Sequence, residues 1–216
     1  MVFPIGDDDT QRQTIPVVTY LLIAANVAVF LLELNRGEGF IKAWAFTPRV
    51  FFQNPGAHAA TIFTSMFMHG GWMHLIGNMV YLWTFGDNVE DNFGHLPFFV
   101  FYLVTGIAAM FAQAYFIPNS NVPNLGASGA IAGVLGAYIV MFPRGQVRLL
   151  TQAGIVLVPA FLAIGLWIGL QFVSAAGEFA KTTQTAGGVA YMAHIGGFIA
   201  GIVLSIFFKN RAPAVA

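Results

Sequence analysis

The sequence contains no cysteine, and only 8% of its 216 residues are charged. The lack of cysteine excludes disulfides, thiolate metal sites and a cysteine nucleophile together. A soluble domain carries about 25% charged residues, so this chain lacks the side chains needed to cover a water-facing surface. The formal net charge is zero, which gives no indication of a nucleic-acid partner. Because 57% of the residues are hydrophobic, the composition indicates a polytopic membrane protein.

The N-terminal stretch MVFPIGDDDTQRQT is acidic and lacks the basic start and cleavage signal of a secretory peptide. We interpret residues 1–14 as a polar tail. A single membrane domain is expected over 15–208, followed by a short C-terminal tail, 209–216.

Six apolar runs are candidates for crossing a bilayer, which takes about 20 helical residues. Each must be a helix, since unpaired backbone groups find no water in lipid. The expected fold class is therefore an all-α membrane protein, a bundle of six transmembrane helices. The connection 35–60 is too polar to span and rich in Phe and Trp, which indicates an interfacial segment. The predicted spans are 15–34, 62–86, 96–116, 127–142, 153–173 and 189–208.

Lys and Arg residues set the expected orientation. With a cytoplasmic N-terminus, the inner side holds five of them, and the outer side holds Lys181 and three in the interfacial segment. Discounting that segment leaves five against one, which favours cytoplasmic termini. The inner five are Arg12, Arg144, Arg148, Lys209 and Arg211.

Polar side chains within spans are functional candidates because they cost energy in lipid. His74 and Asn78 share one face of the second span, Ser128 opens the fourth, and His194 lies early in the sixth. These three spans cross the membrane in the same direction, so the residues fall at a similar depth near the outer face. Gln113 and Gln171 are further polar residues in apolar spans, and the sequence assigns them no role.

The pair His69 and His74 also admits a metal interpretation, because the two are five residues apart. No His-Glu-x-x-His pattern exists, however, and no carboxylate lies nearby on that face. The sequence therefore predicts neither a metal nor a cofactor, and the role of His69 stays open.

Ser128 has two interpretations. Small residues are the usual packing device of membrane helices, and Gly126 and Gly129 flank this serine. The alternative is a nucleophile. The two are compatible if the glycine faces of the fourth and sixth spans meet, since that packing brings Ser128 toward His194. The glycines concerned are Gly129, Gly133 and Gly136 on the fourth span and Gly197 and Gly201 on the sixth.

A serine nucleophile needs a base, usually histidine, and donors for the oxyanion. His194 can serve as the base, while His74, Asn78 and the free backbone N–H of Ser128 can donate. No carboxylate is placed to orient His194, so the expected arrangement is a Ser–His dyad.

Four motifs, which follow one another along the chain in the family's order, resemble those of the rhomboid intramembrane serine proteases of the bacterial six-span type. GASG (126–129) is similar to the Gly-x-Ser-Gly nucleophile motif, and AHIGGFIAG (193–201) to Ala-His-x-x-Gly-x-x-x-Gly. HLIGN (74–78) is similar to His-x-x-x-Asn, and GDNVEDNFG (86–94) to Gly-x-x-x-Glu-x-x-x-Gly.

The resemblance implies that Ser128 is the nucleophile, His194 the base, His74 and Asn78 the oxyanion donors, and Glu90 structural. It further implies cleavage of single-span membrane proteins near their outer end, at small residues in helices that unwind readily, within a bacterial cell (inner) membrane. The loop 174–188 or the fifth span would form the substrate gate. Two alternatives remain: a non-proteolytic rhomboid-like protein that binds membrane clients, and a small transporter.

Overall fold

The computed structural model describes residues 3–8, 12–179 and 189–208. Long helices dominate it, joined by short helices and one small sheet. The helices are α1 (Val17–Arg36), α2 (Glu38–Trp44), α3 (Pro48–Gln53), α4 (Pro55–His58), α5 (Thr61–Thr64), α6 (Trp72–Phe93), α7 (His95–Phe116), α8 (Ser128–Met141), α9 (Ala160–Phe179) and α10 (Tyr191–Phe208). The strands are β1 (Phe3–Gly6), β2 (Gln146–Thr151) and β3 (Gly154–Pro159), and a 3-10 turn covers Ser65–Phe67.

A long or central helix is found for each of the six predicted spans. Among the described residues, α1, α7, α9 and α10 are both long and apolar enough to cross a membrane. Helix α6 has 22 residues but carries three acidic side chains near its C-terminal end, and α8 has only 14 residues. The helical fold class is confirmed. Length and composition alone, however, identify four membrane-spanning helices among the described residues and not the six that the sequence predicts.

The second span begins later than the sequence predicts. We expected a helix from residue 62, but α6 starts at Trp72, after α5, a 3-10 turn and Gly70–Gly71. It also continues through the acidic stretch to Phe93 and ends at Gly94, whose φ of +84° lies in the left-handed region that favours glycine. The first span is likewise displaced by two residues.

The start predicted for the fifth span, residue 153, is wrong. Residues Gly154–Pro159 form β3, which pairs antiparallel with β2, and α9 begins only at Ala160. Because this short apolar run is rich in β-branched residues, it suits a strand as well as a helix.

The N-terminal residues form a docked strand where we expected a tail. Strand β1 completes a sheet of order β1-β2-β3, with Phe3 opposite Leu150. The buried Asp7 carboxylate then accepts hydrogen bonds from Asn88 Nδ2 and Tyr138 Oη, each at 2.6 Å. These contacts tie the start of the chain to α6 and α8.

The glycines of α8 allow close packing on both sides. On α10, a Cβ on Gly201 would overlap the carbonyl oxygen of Gly133, and a Cβ on Gly197 would overlap that of Gly129. A Cβ on Gly129 would lie 2.6 Å from Ala109 of α7. The predicted approach of α8 and α10 is therefore confirmed, but the missing Cβ atoms of Gly129 and Gly133 make room for α7.

The interfacial segment consists of the short helices α2, α3 and α4. Helix α2 has no buried residue, and Trp44 and Phe52 are exposed. Phe46 and Phe51 anchor the segment by packing against Phe111 of α7.

Glu90 fastens α1 to the acidic end of α6. Its buried carboxylate accepts the backbone N–H groups of Val18 and Thr19 at 2.8 and 2.7 Å, and it contacts His95 Nδ1 at 2.6 Å. Two free donors at the start of α1 are thereby satisfied, which agrees with the structural role that the family resemblance implies.

Candidate active site

Ser128 lies at the first position of α8, where a loop turns into the helix. Backbone bonds from Asn124 to Phe46 and from Gly126 to Ser65 fix this loop, at 2.7 and 2.9 Å. Gly126 has a φ of +132°, a conformation that side-chain-bearing residues rarely adopt. The Ser128 side chain remains partly exposed, and its backbone N–H is one of the first-turn donors that have no partner within a helix.

His194 lies beside Ser128. Its Nε2 is 2.8 Å from Ser128 Oγ, although 66 residues separate the two along the chain. The close approach of α8 and α10 at Gly129 and Gly197 produces this contact. Gly129 directly follows Ser128 on α8, and Gly197 lies about one turn after His194 on α10. The imidazole is buried, whereas Ser128 is partly exposed.

His74 faces the same point from α6. Its Nδ1 accepts the backbone N–H of Gly70 at 3.3 Å, so a neutral ring carries its proton on Nε2. If Gly126 carried a Cβ, that atom would lie 2.9 Å from His74 Nε2 and 3.6 Å from Ser128 Oγ. His74 Nε2 and Ser128 Oγ thus border the same small space beside Gly126.

Asn78 lies one turn further along α6 and is buried. Its Nδ2 has no hydrogen-bond partner among the described residues. A buried amide without a partner costs about 1–3 kcal/mol, which a folded protein tolerates where the group serves a ligand or a reaction.

Two glutamines that the sequence left unassigned contact this site. Gln171 Oε1 of α9 is 2.8 Å from His194 Nδ1, and the Trp167 ring packs against the imidazole at a tilt of 35°, with centroids 5.5 Å apart. Gln113 Oε1 of α7 accepts the N–H of Ala193 at 3.1 Å, at the start of α10. The only signal in the sequence was a polar residue within an apolar span.

His69 lies next to the site without joining the serine. Its buried ring meets the His74 ring edge-on, with centroids 5.1 Å apart, and its backbone N–H donates to the Glu33 carboxylate. Burial, together with the neighbouring His74, lowers the pKa of His69 to about 4. No cluster of three metal-ligating side chains occurs within 3–8, 12–179 and 189–208.

Part of the expected gate falls outside the described residues. Of the loop 174–188, residues 174–179 belong to α9 and 180–188 are not described. The C-terminal tail 209–216, with Lys209 and Arg211, is not described either.

Comparison with known proteins agrees with the motifs. The model of the Rhomboid domain family matches residues 57–211. The chain is 29% identical to "Rhomboid protein 1, mitochondrial" of Saccharomyces cerevisiae over 89% of its length and 54% of that protein. It is 30% identical to "Rhomboid protease GluP" of Bacillus subtilis over 88% of its length and 35% of that protein. It is also 29% identical to the human "Presenilin-associated rhomboid-like protein, mitochondrial" over 90% of its length and 50% of that protein.

The chain thus spans about half the length, or less, of these curated relatives. The family model, in contrast, covers most of this chain, including Ser128, His194 and the helices that carry them. The long apolar helices of this chain, together with its family, make it a multi-pass membrane protein. The chain belongs to the rhomboid family.

Proposed function

We propose that the protein is an intramembrane serine endopeptidase that cleaves transmembrane segments of membrane proteins near the outer face. The single observation that carries this proposal is the 2.8 Å contact between Ser128 Oγ and His194 Nε2. A hydroxyl at that distance from a neutral imidazole nitrogen can transfer its proton to the base as it attacks a carbonyl.

The proposed reaction has two halves. In the first, His194 Nε2 takes the Ser128 proton, Oγ bonds to the scissile carbonyl carbon, and the oxygen becomes an oxyanion. The imidazolium then gives its proton to the leaving amine, the C–N bond breaks, and an acyl-enzyme remains. In the second, His194 takes a proton from water, the hydroxide attacks the acyl carbon, and the proton returns to Ser128 as the acid leaves.

Three donors are available for the oxyanion: His74 Nε2–H, Asn78 Nδ2–H and the backbone N–H of Ser128. The bond from Gly70 leaves the His74 proton on Nε2, which borders the same space beside Gly126 as Ser128 Oγ. The buried Asn78 amide has no competing partner among the described residues. The first feature supports a donor that is oriented before the substrate arrives, and the second supports a donor that is available to it.

The surroundings of Ser128 support a substrate with a small residue at the cleavage site. A pocket of about 10 Å³ adjoins the serine, which is room for little more than a water molecule or a methyl group. Small residues such as Gly126, Ala190 and Ala193 line it, together with Met66. We propose single-span transmembrane proteins as substrates and the lipid bilayer as the surrounding phase.

Helix α8 supports a site below the membrane surface. Its 14 residues extend about 21 Å, less than the roughly 30 Å hydrocarbon core. With Met141 near one face, Ser128 would be recessed from the other, within reach of both water and a membrane-embedded substrate.

For the orientation we propose cytoplasmic termini, in a bacterial cell (inner) membrane. Arg12 pairs with Asp87 at 2.6 Å, and Arg148 donates to the backbone oxygen of Asp7 at 2.7 Å. Asp87 lies about 20 Å along α6 from His74, so Arg12 lies at the opposite end of this helix from the site. Cations at that end agree with the positive-inside rule if that end faces the cytoplasm. The bacterial membrane is carried over from the resemblance to the bacterial six-span type, because the relatives include bacterial and mitochondrial proteins alike.

The two alternative functions receive less support. A non-proteolytic client-binding protein does not need a serine and a base in contact, yet this chain has both. A transporter needs polar groups along a path, whereas Gln113 and Gln171 both contact α10 around His194.

Cleavage of a model single-span substrate in proteoliposomes tests the proposal. We expect the wild-type chain to cut near the outer end of the substrate, and Ser128→Ala and His194→Ala to be inactive although folded. Retained cleavage by Ser128→Ala would contradict the proposed mechanism.

A further inference from the structure

We propose that Gln171 is a positioning residue that holds the catalytic base, so that the site works as a Ser128–His194–Gln171 relay with a neutral third member. The inference rests on the proposed function and adds a third residue to the dyad expected from the sequence. Gln171 Oε1 is 2.8 Å from His194 Nδ1, on the opposite side of the ring from Ser128.

Helix α9 directs Gln171 inward. Its buried residues Ile164 and Ala175 lie seven positions before and four after Gln171, which is helical spacing along one face. Leu170 and Val173 are 63% and 70% exposed and face away. A polar amide on the inward face of a largely apolar helix is costly unless its hydrogen-bonding groups are used, and His194 uses one of them.

The second contact of Gln171 fixes which end of its amide faces the histidine. Its Nε2 donates to the backbone oxygen of Trp167 at 3.3 Å, one turn earlier on α9. The carbonyl oxygen therefore points at His194 and can only accept, so Nδ1 must carry the proton. The lone pair of Nε2 is then directed at the Ser128 hydroxyl, as a general base requires.

Gln171 also favours the charged form of the base. When His194 takes the serine proton, both ring nitrogens are donors, and the amide oxygen stabilises the new positive charge. Aspartate holds this place in the familiar triads, where it orients the imidazole and stabilises the imidazolium. An amide supplies the same orientation without placing a net charge in the membrane.

Trp167 supports the base from the same helix. Its ring lies at 35° to the imidazole, so Trp167 restrains the ring plane while Gln171 restrains its rotation. Both supports belong to α9, and only 17% of its apolar stretch is buried. A displacement of α9 would release both contacts together, which links the position of this helix to the alignment of the dyad.

The test compares Gln171→Leu and Gln171→Glu with wild type. Leucine keeps the size but removes the acceptor, whereas glutamate keeps the acceptor and adds charge. The readout is the rate at which a fluorophosphonate labels Ser128 in proteoliposomes between pH 5 and 9. Leu170→Ala is the matched control on the adjacent outward position, and Ser128→Ala is the blank.

We expect Gln171→Leu to label roughly 10- to 100-fold more slowly, because part of the general-base contribution is lost. Gln171→Glu should label much faster than Gln171→Leu, with the acidic limb of its pH profile moved to higher pH. Leu170→Ala should behave as wild type. A purely structural role of Gln171 would lower the amount of folded protein without moving that limb.

Labelling of Gln171→Leu at the wild-type rate would overturn the inference and leave the proposed function intact. If Gln171→Leu fails to fold, the acidic limb of Gln171→Glu decides, and an unshifted limb overturns the inference. Labelling or cleavage by Ser128→Ala would instead contradict the proposed function itself.

Discussion

Substitution of Gly201 by alanine perturbs the contact that brings the dyad together. Gly201 of α10 lies against the backbone of Gly133 in α8, and a new Cβ would be 2.7 Å from the Gly133 Cα and carbonyl carbon and would overlap the carbonyl oxygen. Carbon atoms pack at about 3.5–4.0 Å, so the helices must separate by about 1 Å. Backbone atoms of two helices cannot yield as a flexible side chain can.

Two effects follow from this separation. Overpacking of this kind costs about 1–3 kcal/mol in the free energy of unfolding. A misplacement of about 1 Å at the reacting groups can lower turnover on the order of 100-fold, and His194 is on the displaced helix. We therefore expect Gly201→Ala to lower both stability, measured by equilibrium unfolding in mixed micelles, and kcat for the model substrate.

Gly165→Ala is the matched control, because a Cβ on Gly165 of α9 would have no atom of the described residues within 4 Å. It should leave both quantities near wild type. If Gly201→Ala keeps wild-type kcat and stability, the conclusion that close α8–α10 packing aligns the dyad is refuted.

Four further predictions concern single residues. Gly126→Ala should abolish labelling of Ser128, because it strains a φ of +132° and brings a Cβ to 2.9 Å from the His74 ring; an intact labelling rate would contradict this. Asn78→Ala should lower turnover roughly 10- to 1000-fold if its amide donates to the oxyanion, and an unchanged rate removes it from that role. Glu90→Ala should lower the free energy of unfolding by about 1–3 kcal/mol or more, because donors of α1 lose their partner, while the labelling rate of folded protein stays the same. The pKa of His69 is about 4 in the folded protein and 6.5 in the unfolded chain. As the pH drops, the unfolded chain therefore binds a proton at His69 first. This lowers the free energy of unfolding by about 2 kcal/mol between pH 7 and pH 5. His69→Phe should show a smaller loss between these two pH values, and an unchanged loss would exclude His69 as its source.

The membrane helices and the meeting of Ser128 with His194 could be predicted from the sequence. Long apolar runs must be helical in lipid, and the shared direction of three spans fixes a common depth. Glycines at helical spacing then indicate which faces can approach closely. None of this requires knowledge of the loops.

The sheet and Gln171 could not be predicted, for two different reasons. The run Gly154–Pro159 is apolar enough to continue a helix, and its pairing with β2 and then β1 depends on contacts far apart in sequence. Gln171 belongs to no motif and is separated from His194 by 23 positions. Only the packing of α9 on α10 brings its amide to the histidine ring.

The most direct measurement is the site of fluorophosphonate attachment, located by mass spectrometry on wild-type protein in proteoliposomes. We expect a single adduct on Ser128, strongly reduced in His194→Ala and absent in Ser128→Ala. No adduct on folded wild-type protein, or an adduct that forms equally well without His194, would contradict the central claim that Ser128 is a nucleophile activated by His194.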